Sequence, residues 1–473
     1  MVRELHEITI AEANRAFAAR KLSPVELTQA YLARIAALDG TLNAYLLVTA
    51  DRALAEAADA EAQIMRGGPR GPMHGIPYGL KDIYETAGVP TTAHSKLLAD
   101  YVPVEDCTAQ KKLRAAGAVL LGKQATWEFA LGGPSFDLPW PPARNPWDLS
   151  RSPSGSSSGA GASIAAGLCA GAMGSDTGGS IRMPAAACGI AGLKPTYGLV
   201  SRKGVLPNSF SFDHCGPMAW TVEDCALMLQ AVAGYDPADP GSADAPAADY
   251  ARALVRSVKG LKIGLVSDWY DTEVCAAPAV IAAMEASVRI FESLGCSVRR
   301  VQLPTLRDFT DAKTPITLSE IYSIHEADLK TRPQDFGRSL RYRIMPGALL
   351  RAEDYVQAVR WRSELTARTL EVMRDADVLV TAGSFEPAAP LVAENPPVVI
   401  GASTPSLTSP FNLTGMPALT LCNGFDASGL PLGMQIAGRP FDEATVLAAG
   451  HAFEQAAGLR ARRPQVQSLM AAE

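Results

Sequence analysis

Charge is scarce in this 473-residue chain: 19% of its residues are Asp, Glu, Lys or Arg, against about 25% in an average soluble domain. With 48% apolar residues, such a chain buries a substantial core, which excludes a disordered or tail-like protein. A basic excess is also missing, the net charge being −6, which argues against non-specific nucleic-acid or anionic-membrane binding. No run of about 18 apolar residues occurs, so no membrane span is expected. The N-terminal Met1-Val-Arg-Glu-Leu-His-Glu lacks the apolar core of a signal peptide. The eight cysteines form no C-x-x-C pair, so neither a zinc ribbon nor a thioredoxin-like site is indicated. Several, such as Cys169 and Cys296, lie among small or apolar residues and suit reduced thiols in a cytoplasmic protein.

Helix-start signals are clear. Thr9-x-x-Glu12 and Ser23-Pro24-Val25-Glu26 are capping boxes, the second with proline at the first helical position. They predict helices over 10–20 and 24–38, followed by an Ala/Glu-rich helix near 52–66. Gly75-Ile-Pro-Tyr-Gly-Leu80 reads as a strand ending in Lys81-Asp82. Further strands are expected at Ala118–Leu121, Leu168–Met173, Lys262–Val266, Ser297–Gln302 and Val378–Val380. Helices fit near 107–116, 222–233, 277–294 and 352–375. This alternation predicts an α/β layered fold around one sheet. The Pro/Ala/Asp-rich segment at 236–250 is read as a surface loop, and 305–400 as a segment covering the sheet.

Glycine and serine crowd into one place. Ser150–Ser180 (SRSPSGSSSGAGASIAAGLCAGAMGSDTGGS) holds nine serines and eight glycines with one Asp and one Arg. Glycine at that density lets backbone N–H groups approach a ligand or a developing oxyanion. With six histidines in the whole chain, so many serines direct the search to a serine nucleophile. A flexible linker is the plain alternative, but Ile164, Leu168, Cys169 and Met173 are threaded through it. Gly155-Ser-Ser157-Ser-Gly159 matches the G-x-S-x-G nucleophile elbow, yet no strand precedes it. Its candidate partners Asp442 and His451 sit nine residues apart in one expected helix, on different faces. Gly159-x-Gly161 with Gly167 only approximates a dinucleotide loop.

A third match is more specific. Lys81 follows Gly75-Ile-Pro-Tyr-Gly-Leu, Ser156 lies in Ser154-Gly-Ser-Ser-Ser-Gly159, and Ser180 lies in Gly174-Ser-Asp-Thr-Gly-Gly-Ser-Ile-Arg-Met-Pro184. Arg144-Asn-Pro-Trp147, Gly189-Ile-Ala-Gly-Leu-Lys-Pro-Thr196, Pro410-Phe-Asn-Leu-Thr-Gly-Met-Pro417, Gly429-Leu-Pro-Leu-Gly-Met-Gln-Ile436 and Gly438-Arg-Pro-Phe441 follow in order. Together they resemble the amidase signature family, over nearly the whole chain. The departures are small: Ser154 and Ser158 replace usual glycines, and Ala160 a common serine. The resemblance implies a layered α/β/α fold with a central mixed sheet flanked by helices. It implies one domain over 1–473, with a signature core at about 70–235.

It also implies a Ser–cis-Ser–Lys triad: Ser180 as nucleophile, Ser156 as bridging serine and Lys81 as base. Such a lysine works only if its pKa falls from about 10.4 towards roughly 7–8. The backbone amides of Thr177, Gly178, Gly179 and Ser180 are the implied oxyanion hole, with Ser157, Asp176 and Arg182 in support. Trp127, Phe129, Ala130 and Phe136 fall where the family lines its acyl pocket, though the aromatics could equally be core residues. The scheme needs no cofactor and no metal. The expected partner is a small-molecule amide, with no nucleic acid or membrane and a possible homodimer. The expected reaction is hydrolysis of a small acyl or aryl carboxamide. The alternatives are a glutamine-hydrolysing amidotransferase subunit, or cleavage of urea- or carbamate-type bonds. A glutaminase would need a charged clamp for the amino acid, and no clamp is assignable from the sequence.

Overall fold

The computed structural model describes residues 4–392 and 405–466. Both predicted N-caps open the first helices, the first as a full capping box and the second as a serine cap alone. Thr9 and Glu12 bond reciprocally at the start of Ile10–Ala18, and Ser23 caps Pro24–Leu42 with Pro24 in the first turn. The helices Ala50–Gly67, Thr108–Ala115, Val222–Val232, Pro278–Ser293 and Ala352–Val372 lie where the periodicity places them.

The described strands form one 11-stranded mixed sheet. They are β1 (Tyr45–Val48), β2 (Pro77–Lys81), β3 (Val119–Gln124), β4 (Gly171–Asp176), β5 (Ala191–Lys194) and β6 (His214–Ala219). Then come β7 (Lys262–Leu265), β8 (Ser297–Arg300), β9 (Val378–Ala382), β10 (Ala418–Phe425) and β11 (Pro431–Gly438). Their order is β1-β3-β2-β4-β6-β5-β10-β11-β9-β7-β8. β2 runs parallel to both β3 and β4, so the carboxyl ends of these three neighbours lie together.

The Gly/Ser stretch is not a linker. Helix Ser158–Ala165 is buried at every residue. A side chain at Gly159 would run into the backbone of Ala44 and Ala125, so small residues let this helix press against its neighbours. The 236–250 segment is irregular, as expected, but tied down. Asp236 accepts from Thr108 and Ser201, and Asp239 pairs with Arg202.

The covering segment contains a 26-residue helix, Leu306–Thr331, packed on Ala352–Val372. It also contributes β9 to the interior of the sheet, so it covers only up to residue 377. Its last part, 393–400, lies outside the described residues. Among the described residues no helix is long and apolar enough to cross a membrane.

Candidate active site

Lys81 ends β2, and its side chain is fully buried. Its Nζ donates to Ser156 Oγ at 2.6 Å and to Ser175 Oγ at 2.8 Å. Burial pulls its pKa down from 10.5 to about 7, while Asp176, Asp213 and Cys215 pull the other way. The hydroxyl pair around Nζ is neutral, so no carboxylate contact restores the ammonium.

Ser156 follows a cis peptide bond from Gly155. Its carbonyl accepts from Trp127 N–H at 3.1 Å, and a side chain at Gly155 would collide with the Trp127 indole. The next residue fastens two more parts of the site. Ser157 N–H donates to Ser180 O at 3.1 Å, and Ser157 Oγ bonds the Ser175 backbone at 3.3 Å. Ser154, at a position of expected glycine, takes φ +61°, the left-handed region that glycine enters most readily. Ser158 Oγ reaches Ala125 O at 3.4 Å.

The loop after β4 carries Ser180, 6% exposed. Asp176 organises that loop. Its carboxylate accepts from Gly179 N–H at 2.7 Å, from Arg182 Nε and Nη2 at 3.0 Å, and from Asn412 Nδ2 at 2.8 Å. Burial alone would raise this carboxyl, but the Arg182 guanidinium and Asn412 hold it well below the usual carboxylate range. Arg182 also donates to Thr408 O at 2.8 Å, Gln435 Oε1 at 2.9 Å and Asn412 Oδ1 at 2.6 Å. Motifs more than 200 residues apart in the chain thus close on one buried ion pair. Gly179, at φ +129°, leaves no room for a side chain beside Thr408, whose hydroxyl caps Gly178 O at 2.6 Å. The Gly179 amide is occupied by Asp176; Thr177, Gly178 and Ser180 contribute the other amides of the loop.

The residues expected to bind substrate separate. Trp127 stands beside Gly155–Ser156. Ala130 lines a cavity of about 410 Å³ together with Ser175, Asn208, Phe210 and Asp213. Phe129 is buried against His325 and Phe336, ring centroids 4.3 and 6.5 Å away, and serves core packing. Phe136 is 45% exposed on the surface. Sequence reasoning missed Ser175, Asn412 and Gln435. Ser175 was visible only as part of the Gly174–Pro184 motif, and the other two only as members of the late motifs.

The Amidase family profile matches residues 26–447. The chain belongs to the amidase family. This amidase is 40% identical over 488 residues to a glutamyl-tRNA(Gln) amidotransferase subunit from Chloroflexus aggregans, covering 98% of this chain and 99% of that one. Among solved structures, a protein of a vestigial complex linked to the origins of an s-triazine catabolic enzyme superposes with a TM-score of 0.88. Its identity is 34%, over 97% of this chain and 100% of that chain. The peptide amidase of Stenotrophomonas maltophilia superposes with a TM-score of 0.84 at 32% identity, over 97% and 99% of the two chains. The amidase is accordingly an enzyme acting on C–N bonds, with the mixed α/β sheet of those structures.

Proposed function

We propose that this amidase hydrolyses a carboxamide through a seryl acyl-enzyme, with Ser180 as nucleophile, Ser156 as proton bridge and Lys81 as base. The observation that carries this reading is a buried lysine, its pKa lowered to about 7, within 2.6 Å of a serine hydroxyl. With Nζ neutral, the Ser156 hydroxyl donates to it and accepts the proton of Ser180 as Ser180 Oγ bonds the carbonyl carbon. The carbonyl oxygen becomes an oxyanion held by the loop amides of Thr177, Gly178 and Ser180. Gly179, bonded to Asp176, keeps the loop in shape. Each such donor is worth on the order of 3–4 kcal/mol in the transition state. Collapse breaks the C–N bond, and the proton returns through Ser156 to the leaving nitrogen. Water then cleaves the ester by the same relay.

The relatives' name favours a second form of this reading. Here the amide is glutamine and the ammonia passes to a partner chain. The peptide amidase likeness favours an enzyme acting alone. The cysteines of the described residues are all unpaired, which supports a cytoplasmic setting.

The test is fluorophosphonate labelling of the purified protein with peptide mapping of the adduct. An adduct on Ser180 supports the assignment; one on Ser157 revives the elbow reading and overturns it. Ammonia release from small amides by the chain alone supports independent action. Release from glutamine only beside partner proteins supports the form that works within a larger assembly.

A further inference from the structure

The covering segment grips a turn that in turn holds Thr177. β4 and β6 run antiparallel with Asp176 opposite His214, so Thr177 and Asp213 come next on the two chains, just beyond the ladder. There Thr177 Oγ1 donates to Asp213 Oδ1 at 2.6 Å. The other oxygen of that carboxylate accepts from the Asn208 and Ser209 amides at 2.8 and 2.9 Å. Asp213 thus closes the turn 208–213 on itself and ties it to the loop that carries Ser180. Asn208 Nδ2 fastens the same turn to Ala130 O at 3.0 Å.

The far side of the turn faces the covering helices. Glu320, in the helix Leu306–Thr331, accepts the hydroxyls of Ser209 and Ser211 on separate carboxylate oxygens, and the Ser211 amide at 3.0 Å. Tyr355, in the helix Ala352–Val372, adds its hydroxyl at 3.1 Å. From that second helix Arg362 donates to Ser211 O at 3.3 Å and to Leu413 O at 2.9 Å, its guanidinium 4.8 Å over the Phe212 ring. An ionised carboxylate only accepts, so the donors converging on Glu320 select one arrangement of turn and helices. A backbone amide stabilises an oxyanion only while it is held in place to within about 0.5 Å. Thr177, whose amide is one of those donors, is held by its side chain at the end of this chain of contacts.

We propose that Glu320 is a positioning residue: acting through Asp213 and Thr177, it sets the oxyanion-binding loop from the covering segment, so that the rate of acylation depends on where the covering helices sit. This rests on the acyl-enzyme reading above.

The experiment is a double-mutant cycle read by fluorophosphonate labelling of Ser180, which uses the nucleophile and the oxyanion donors and requires no chosen amide. Labelling is followed against reagent concentration and pH in the wild type, Glu320→Ala, Thr177→Val and the double variant. Thr177→Val is expected to lower the limiting rate roughly tenfold to a hundredfold, short of the roughly 10²–10³-fold loss of an oxyanion donor removed outright. Glu320→Ala lowers it about tenfold in the wild-type background and less than about twofold beside Thr177→Val, because one path carries both effects. The half-saturating reagent concentration and the apparent pKa near 7 hold in each, since Lys81 is untouched. Glu320→Gln, which keeps an acceptor, and Thr177→Ser, which keeps the hydroxyl, recover most of the rate. Should Glu320→Ala fail to fold, Ser209→Ala with Ser211→Ala removes the same hydroxyl bonds from the other side and takes its place in the cycle. Additive losses in the double variant would make Glu320 a fastener of the covering helices alone and overturn the proposal. So would an unchanged limiting rate in Glu320→Ala, or a displaced apparent pKa. If Ser180 takes no label in the wild type, the acyl-enzyme reading itself fails and the positioning role falls with it.

Discussion

A lysine buried at the end of a central strand, between two serine hydroxyls, is a base only while it is neutral. Its pKa of about 7 in the folded protein, against 10.5 when free, sets two opposite consequences. Activity should rise with pH through an apparent pKa near 7, as the amine becomes able to accept the Ser156 proton. For stability, the unfolded chain binds more protons than the folded one between about pH 7 and pH 10.5. The contribution of the neutral amine is therefore complete above that window and lost as pH falls through about 7. Lys81→Met should lower kcat/KM by roughly 10²–10⁴-fold, yet raise the urea midpoint at pH 6, where the wild type buries an ammonium. Equal midpoints at pH 6 would show that Lys81 is not desolvated as described. Lys81, Ser156 and Ser180 were legible from their motifs. Ser175 was not, because nothing local distinguishes one serine among nine.

At the scale of elements, the Arg182–Asp176 pair joins β4, the helix Arg182–Cys188, the helix Ser409–Leu413 through Asn412, and β11 through Gln435. Arg182→Met removes one partner and leaves a buried carboxylate uncompensated, which costs about 3–5 kcal/mol. Urea unfolding at neutral pH should show that loss, and a drop below about 1 kcal/mol would mean the pair does not hold the loop. The predicted helices came from caps and apolar spacing. The 306–331 helix was missed although Thr305 and Asp308 form a capping box. Pro315 interrupts its pattern, and threonines and lysine dilute its apolar face. β11 was recognised within the Gly429–Ile436 motif but not as a strand, and β10 lay between motifs and was not recognised, because neither shows the alternation of a half-exposed strand. Both lie buried in the middle of the sheet for most of their length.

Over the whole molecule, the described cysteines are all free thiols, and Cys275 alone among them is exposed. A thiol reagent should therefore modify one cysteine of the native protein quickly and all eight after unfolding. Fast modification of several in the native state would contradict the packing. Chain length and low charge determined by themselves a large buried core, and the alternation of strand and helix patterns an α/β fold. The ordered motifs determined its family and pointed to the three residues proposed for the relay. Those properties are local in sequence, since capping, turn geometry and close backbone approach act over a few residues. Tertiary structure alone decided the sheet order, the joining of Asp176 to Asn412 and Gln435, and the grip of Glu320 on Ser209 and Ser211. Each is a contact between segments far apart in the chain, formed because buried charges must find partners wherever folding brings polar groups together.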